Sequence, residues 1–267
     1  MASLCPRVGF LTLAALVPLL GACAGQVADP APTDTSDLAS AEVPVVQQRS
    51  ALTFSEAVVI EPNDAVADRC SGVLIAPQVV LTAAHCLAFV PSRSWRVTAP
   101  FAMGGAEVHT ARDGEPMDAA FRNVTKNDYA QRDLRDVAVL YVDTPFANVR
   151  LPVVSPVVLA TGKSSPPIFV SSVGRSAAGA DGLAKSVATM LNAPDGARSA
   201  IEYQTSAISA PGETGGPLFL EGTHRVIAVQ AHADGESKTE AWSRLDGDVY
   251  TWITEKVVTH GGWVTSP

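Results

Sequence analysis

The chain has 267 residues, 47% of them hydrophobic and 17% charged, a balance that suits a sizeable buried core. A net charge of −8 with no block of Lys or Arg leaves a nucleic-acid partner without the basic patch that phosphate binding needs. The length admits one or two domains, and long all-β units often run this far as a single body.

The N-terminus reads as a targeting segment. Arg7 supplies a positive start, residues 8–20 an apolar stretch, and Leu20-Gly21-Ala22-Cys23 a small-residue close. A Cys after two small residues matches a bacterial lipobox, in which Cys23 is lipidated and anchors the chain to a membrane. The alternative is an ordinary secretory signal cut near Ala22 or Ala24. Either reading exports the protein, as a periplasmic or cell-surface lipoprotein or as a secreted one. No later segment approaches the length of a membrane span. Residues 24–44 are rich in Ala, Asp, Pro, Thr and Ser, with little that forms a core. Such a coil spans roughly 25 Å on average and tethers without positioning. Three parts are therefore expected: a signal peptide at 1–22, a flexible tether at 23–44 and a folded domain at 45–267.

Within that domain, short Val/Ile/Thr runs separated by Gly, Pro, Ser and Asp predict an all-β fold. The predicted strands fall at 54–60, 70–76, 79–82, 95–99, 106–112, 119–124 and 137–142. Residues 151–156 read as a crossover. A second set follows at 157–161, 168–173, 185–191, 201–204, 217–220, 226–231 and 239–244. From Asp248 to about Thr259 the rhythm turns helical, with Val249, Trp252, Ile253 and Val257 on one face and Asp248 near the cap. Of the four cysteines, Cys5 leaves with the signal and Cys23 belongs to the lipobox, so Cys70 and Cys86 remain to pair in an oxidising compartment. Two buried free thiols are the other reading.

Chemistry concentrates in three places: Leu81-Thr82-Ala83-Ala84-His85-Cys86, Asp136-Val137-Ala138-Val139-Leu140, and Gly212-Glu213-Thr214-Gly215-Gly216-Pro217-Leu218. A base, a carboxylate and a hydroxyl thus occur in the order His, Asp, Thr. On these motifs the chain resembles the trypsin/chymotrypsin-like serine peptidases over roughly Val45 to Ile253. The resemblance implies two six-stranded antiparallel β-barrels with a C-terminal helix and an active site between the barrels. It implies peptide-bond hydrolysis of a protein or peptide substrate by a His85, Asp136 and Thr214 triad without a cofactor or metal. The backbone N–H groups of Gly212 and Thr214 would form the oxyanion hole, and the Cys70–Cys86 disulfide would fix the loop beside His85. Ile208, His232 and Ala233 fall at specificity-pocket positions, and the apolar Ile208 argues against basic substrates. His109, His224 and His260 show no zinc-ligand spacing.

Three departures bear on activity. Thr214 stands where the family has Ser, and its extra methyl stiffens χ1 and takes up space. Glu213 stands where the family has Asp, one methylene shorter. The expected start, Val45-Val46-Gln47-Gln48, lacks the usual Gly and follows Pro44 without a basic residue just upstream. If the new N-terminus must be freed there, cleavage also releases the domain from a lipid at Cys23. Weak peptidase activity and catalytically inactive binding are the two readings that the resemblance leaves. A third takes Gly212–Gly216 as a Thr variant of a nucleophile elbow, with later partners among His232, Asp234, Asp246 and His260. That reading leaves the LTAAHC run unexplained.

Overall fold

A computed structural model describes residues 51–63, 69–88, 94–123, 125, 134–160, 166–175, 182–191, 200–206, 213–234, 239–260, 262 and 265. All of them belong to one compact unit, residues 41–267. The expected signal, tether and freed N-terminus lie outside the described residues.

Six strands close the first barrel: β1 (Ala57–Pro62), β2 (Cys70–Ala76), β3 (Val79–Thr82), β4 (Trp95–Ala99), β5 (Glu107–Pro116) and β6 (Ala138–Val142). They run in the order β1-β2-β3-β6-β5-β4, and β4 returns to pair with β1. Val58, Ile60, Leu74, Val80, Val97 and Leu140 fill it, because alternate residues of each strand point to one face. The second set comprises β7 (Val153–Val154), β8 (Phe169–Arg175), β9 (Leu183–Thr189), β10 (Glu202–Ser206), β11 (Pro217–Leu220), β12 (Arg225–Asp234) and β13 (Thr239–Arg244). Its order is β10-β13-β12-β11-β8-β9, with β7 parallel to β12. This second body is a half-barrel. Among the described residues its ends meet only through the Met190–Thr205 bridge and the Leu191 N–H to Gln204 carbonyl bond.

The double-barrel expectation holds, with two local corrections. Residues 119–123, expected as a strand, form a 3₁₀ turn. Asp118 sets it, accepting the Phe121 N–H at its carbonyl and the Ala120 N–H at its carboxylate. The turn drives Phe121 into a small core with Ala84 and Ala138. Residues 157–160 form no strand either. Their amides go to side chains instead, Val157 to the Ser155 hydroxyl and Leu159 to the Tyr203 hydroxyl.

The C-terminal helix lies where its periodicity put it, α2 (Asp248–Thr259); α1 is the single turn His85–Ala88. Val249, Ile253 and Val257 of α2 are buried in the core that joins the barrels, beside Phe54, Leu81, Val139, Phe219 and Leu245. Polar contacts hold the same helix to the first barrel. Lys256 Nζ lies 3.0 Å from Glu115, which accepts the Tyr141 hydroxyl at 2.8 Å, and the His260 ring stacks on Tyr141. Burial pushes the Tyr141 phenol up, and its bond to Glu115 adds to the shift.

Glu56 is wholly buried just ahead of β1 and places one carboxylate oxygen 2.5 Å from His224 Nδ1. Burial pushes the carboxyl above its ordinary value of 4.5, although the His224 bond and the Arg150 charge oppose it. A raised folded-state value means that the folded chain holds this proton after the unfolded chain has lost it. Stability from this group is therefore full below about pH 4.5 and drains away as pH rises toward the folded value. Glu56→Gln cannot ionise, so its thermal midpoint should gain on that of the native chain between pH 4.5 and 7. A constant gap across that range would contradict the burial argument.

Candidate active site

His85 and Asp136 meet because of strand register. In the β3–β6 pair Thr82 stands opposite Ala138. His85 follows Thr82 by three residues and Asp136 precedes Ala138 by two, so both leave the sheet at the same end. Asp136 is 2% exposed and uses both carboxylate oxygens on His85. Oδ1 accepts the backbone N–H at 2.9 Å, and Oδ2 lies 2.6 Å from ring Nδ1. A carboxylate only accepts, so Nδ1 carries a hydrogen, and in a neutral ring the lone pair is then on Nε2. Residues 51 apart in sequence thus meet, and the two bonds fix the orientation of the His85 ring. Phe121, Ala84 and Ala138 pack together at this end of the barrel, with Leu87 and Ala88 of α1 against them.

The Cys70–Cys86 disulfide ties β2 to α1. Cys86 Sγ lies 3.6 Å from His85 Nε2 and 3.8 Å from the carbonyl oxygen of Thr214. That carbonyl also accepts the Ser71 N–H at 2.8 Å. Ser71 is the junction of the two barrels, a role the sequence reading missed. Its carbonyl accepts the Thr82 hydroxyl at 2.8 Å and its hydroxyl accepts the Arg175 N–H at 2.9 Å, so strands β2, β3 and β8 meet on one buried serine. The only sequence cue is its place between Cys70 and Gly72.

Thr214 sits half-buried in the turn before β11. Gly215 has φ +82, and its N–H donates to the Gln230 carbonyl at 3.0 Å, while the Gln230 N–H donates to Gly216. The turn is therefore stitched to β12, two residues ahead of His232. Glu213 is buried, and a Cβ on Gly174 would come within 2.9 Å of its side chain, so β8 approaches it where only glycine fits. His232 is half-buried and Ala233 exposed on β12. Gly212, Ile208 and Cys23 lie outside the described residues.

Two of the partners that a nucleophile elbow would need are engaged elsewhere. Asp246 accepts bonds from Tyr203 and Arg244, and His260 donates to the Lys256 carbonyl while stacking on Tyr141. Trp242 packs inside the second body and donates to the Thr205 hydroxyl.

Comparison with known proteins agrees with this architecture. Residues 46–254 match the family described as Trypsin. No curated protein matches the sequence. Among solved structures, HL collagenase superposes with a TM-score of 0.58 at 18% identity, over 77% of this chain and 94% of its own. The VesB protease of Vibrio cholerae gives 0.58 at 17% identity, over 76% of this chain and 64% of its own. A Glu endopeptidase gives 0.58 at 14% identity, over 76% and 90%. At these identities the likeness is one of fold, and the family rests on the match over residues 46–254, most of the chain. With the His85–Asp136 pair, the Cys70–Cys86 bracket and the closed first barrel in place, the chain belongs to the trypsin family.

Proposed function

We propose that this protein is an exported endopeptidase of attenuated activity in which His85 is the general base, Asp136 its orienting partner and Thr214 the nucleophile. The observation that carries the reading is the Asp136 carboxylate bonding both the backbone N–H and Nδ1 of His85. That arrangement leaves Nε2 as the acceptor for a hydroxyl proton. In the reaction Thr214 Oγ1 attacks the substrate carbonyl as its proton passes to Nε2. The oxyanion is met by the N–H groups of Gly212 and Thr214. His85 then returns the proton to the leaving amine, and water repeats the sequence to release the acyl group. Attenuation follows from the methyl of Thr214, which stiffens χ1 and takes up space beside the ring. A displacement of about 1 Å at a nucleophile costs on the order of a hundredfold in rate. Ile208, His232 and Ala233 would line the specificity pocket and favour apolar over basic residues. At the N-terminus, 1–22 would serve as signal and Cys23 as the lipid anchor, with 23–44 as tether.

The same methyl favours a second reading, a pseudo-peptidase that binds an extracytoplasmic partner without cleaving it. Hydrolysis of an unfolded protein by the mature chain separates the two. The first reading expects slow turnover that disappears in His85→Ala and rises at least about tenfold in Thr214→Ser, as relief of a fraction of that misplacement implies. Silence of the native chain with activity in Thr214→Ser would establish the binder. Native turnover that survives His85→Ala would reject this triad.

A further inference from the structure

Among the described residues, one group of three potential metal ligands converges. Cys70 Sγ, Cys86 Sγ and a ring nitrogen of His85 all lie within 4.8 Å of one another. While the sulfurs are bonded to each other they carry no thiolate charge and hold no cation. We propose that reduction of the Cys70–Cys86 disulfide converts this cluster into a site for a zinc-class divalent cation, bound by two thiolates and His85 Nε2.

The sulfur–nitrogen spacing already suits that chemistry, and the sulfurs, 2.02 Å apart as a disulfide, separate once their bond is reduced. A tetrahedral ion with metal–sulfur bonds near 2.3 Å and metal–nitrogen bonds of about 2.0–2.1 Å sets sulfur and nitrogen about 3.6 Å apart. Cys86 Sγ and His85 Nε2 already stand 3.6 Å apart. The ring is held for metal binding as well as for catalysis. Asp136 takes Nδ1–H, the outer-shell carboxylate that fixes tautomer and orientation in many histidine metal sites. The ligands also sit on structure that does not depend on the disulfide alone. Cys70 lies in β2, opposite Ile60 of β1, and Cys86 is buried in α1 with its N–H bonded to the Ala83 carbonyl. Two thiolates, one imidazole and a water complete four positions, a donor set that selects zinc over calcium or magnesium.

The chemistry balances with a dithiol as reductant. It gives two electrons and two protons, its own sulfurs joining as a disulfide while the Cys70–Cys86 bond breaks into two thiols. Metal binding then displaces both thiol protons to solvent. The consequence for activity rests on the proposed peptidase reading: a metal on Nε2 occupies the lone pair that would accept the Thr214 proton. The protein would be silenced by reduction plus metal and released by oxidation.

The test titrates the mature protein with cobalt(II), which reports tetrahedral thiolate ligation by its visible and near-ultraviolet bands. Before titration the protein is reduced with a phosphine and exchanged into oxygen-free buffer. The expected result is one cobalt per folded, reduced chain, displaced by zinc, with release of two protons. The oxidised chain should show no such bands. Asp136→Asn should weaken binding by about 10–100-fold, the usual cost of losing an outer-shell partner. His85→Ala should weaken it further. Absence of thiolate bands, equal affinity in His85→Ala, equal affinity in the urea-unfolded reduced chain, or unfolding on reduction before metal is added would each overturn the proposal. Because the readout is spectroscopic, a native chain that binds cobalt but never cleaves protein would retire the peptidase reading and leave the site standing.

Discussion

Asp136→Asn should lower kcat/KM on an unfolded protein substrate by on the order of 10⁴, the loss that follows when this family's base is held in the wrong tautomer. The reason lies in the two bonds Asp136 makes to one residue. An asparagine at this place still offers its carbonyl to the His85 backbone N–H, which needs an acceptor in a buried setting. Its NH₂ then faces Nδ1, which must accept, so the imidazole hydrogen moves to Nε2. The lone pair required for Thr214 is gone although no atom has moved far. Folding should survive, because the shape and one of the two bonds are kept. A variant with an unchanged melting curve and activity within tenfold of native would show that Asp136 does not orient a base.

Gly215→Ala should be the most damaging single methyl in the described structure. A residue with a side chain at φ +82 carries about 1–2 kcal/mol of strain. The added Cβ would also stand 2.3 Å from the Thr82 hydroxyl, 2.6 Å from the Ser71 carbonyl and 3.1 Å from Cys86 Sγ. Two of these are the partners of the bond that ties β3 to β2, and the third is half of the disulfide. None can retreat without pulling on the others. Overpacking of this kind costs about 1–3 kcal/mol beyond the backbone strain. Gly222→Ala supplies the control, since Gly222 has φ +73 and open space around its Cβ. The denaturation midpoint should fall clearly further for Gly215→Ala than for Gly222→Ala. Equal losses would mean that the junction yields more easily than its geometry implies.

The junction explains which parts of the site were legible beforehand. His85, Asp136 and Thr214 stand out because each lies in a short motif whose order carries meaning. Cys70 and Cys86 follow from counting thiols. Ser71 carries no such mark, yet it joins β2, β3, β8 and the Thr214 turn through three hydrogen bonds. A serine is unremarkable in any window of sequence, and its partners come from Thr82, Arg175 and Thr214, up to 143 residues away (214 − 71).

Taken alone, the sequence determined the elements whose signal is local. Strands 70–76, 79–82, 95–99, 217–220 and 239–244 and the helix 248–259 sit where residue type, turn punctuation and helical spacing place them. The motif order likewise determined the family. Tertiary structure decided the rest. Phe121 turned an expected strand into a 3₁₀ segment because an aromatic ring there fills the space beside Ala84 and Ala138. Val157 and Val158 have strand-forming side chains but stay out of the sheet and exposed. Most of all, the β3–β6 register carried Asp136 to His85. Periodicity reports which face of an element is buried, but register is chosen by hydrogen bonds and packing between segments far apart in the chain.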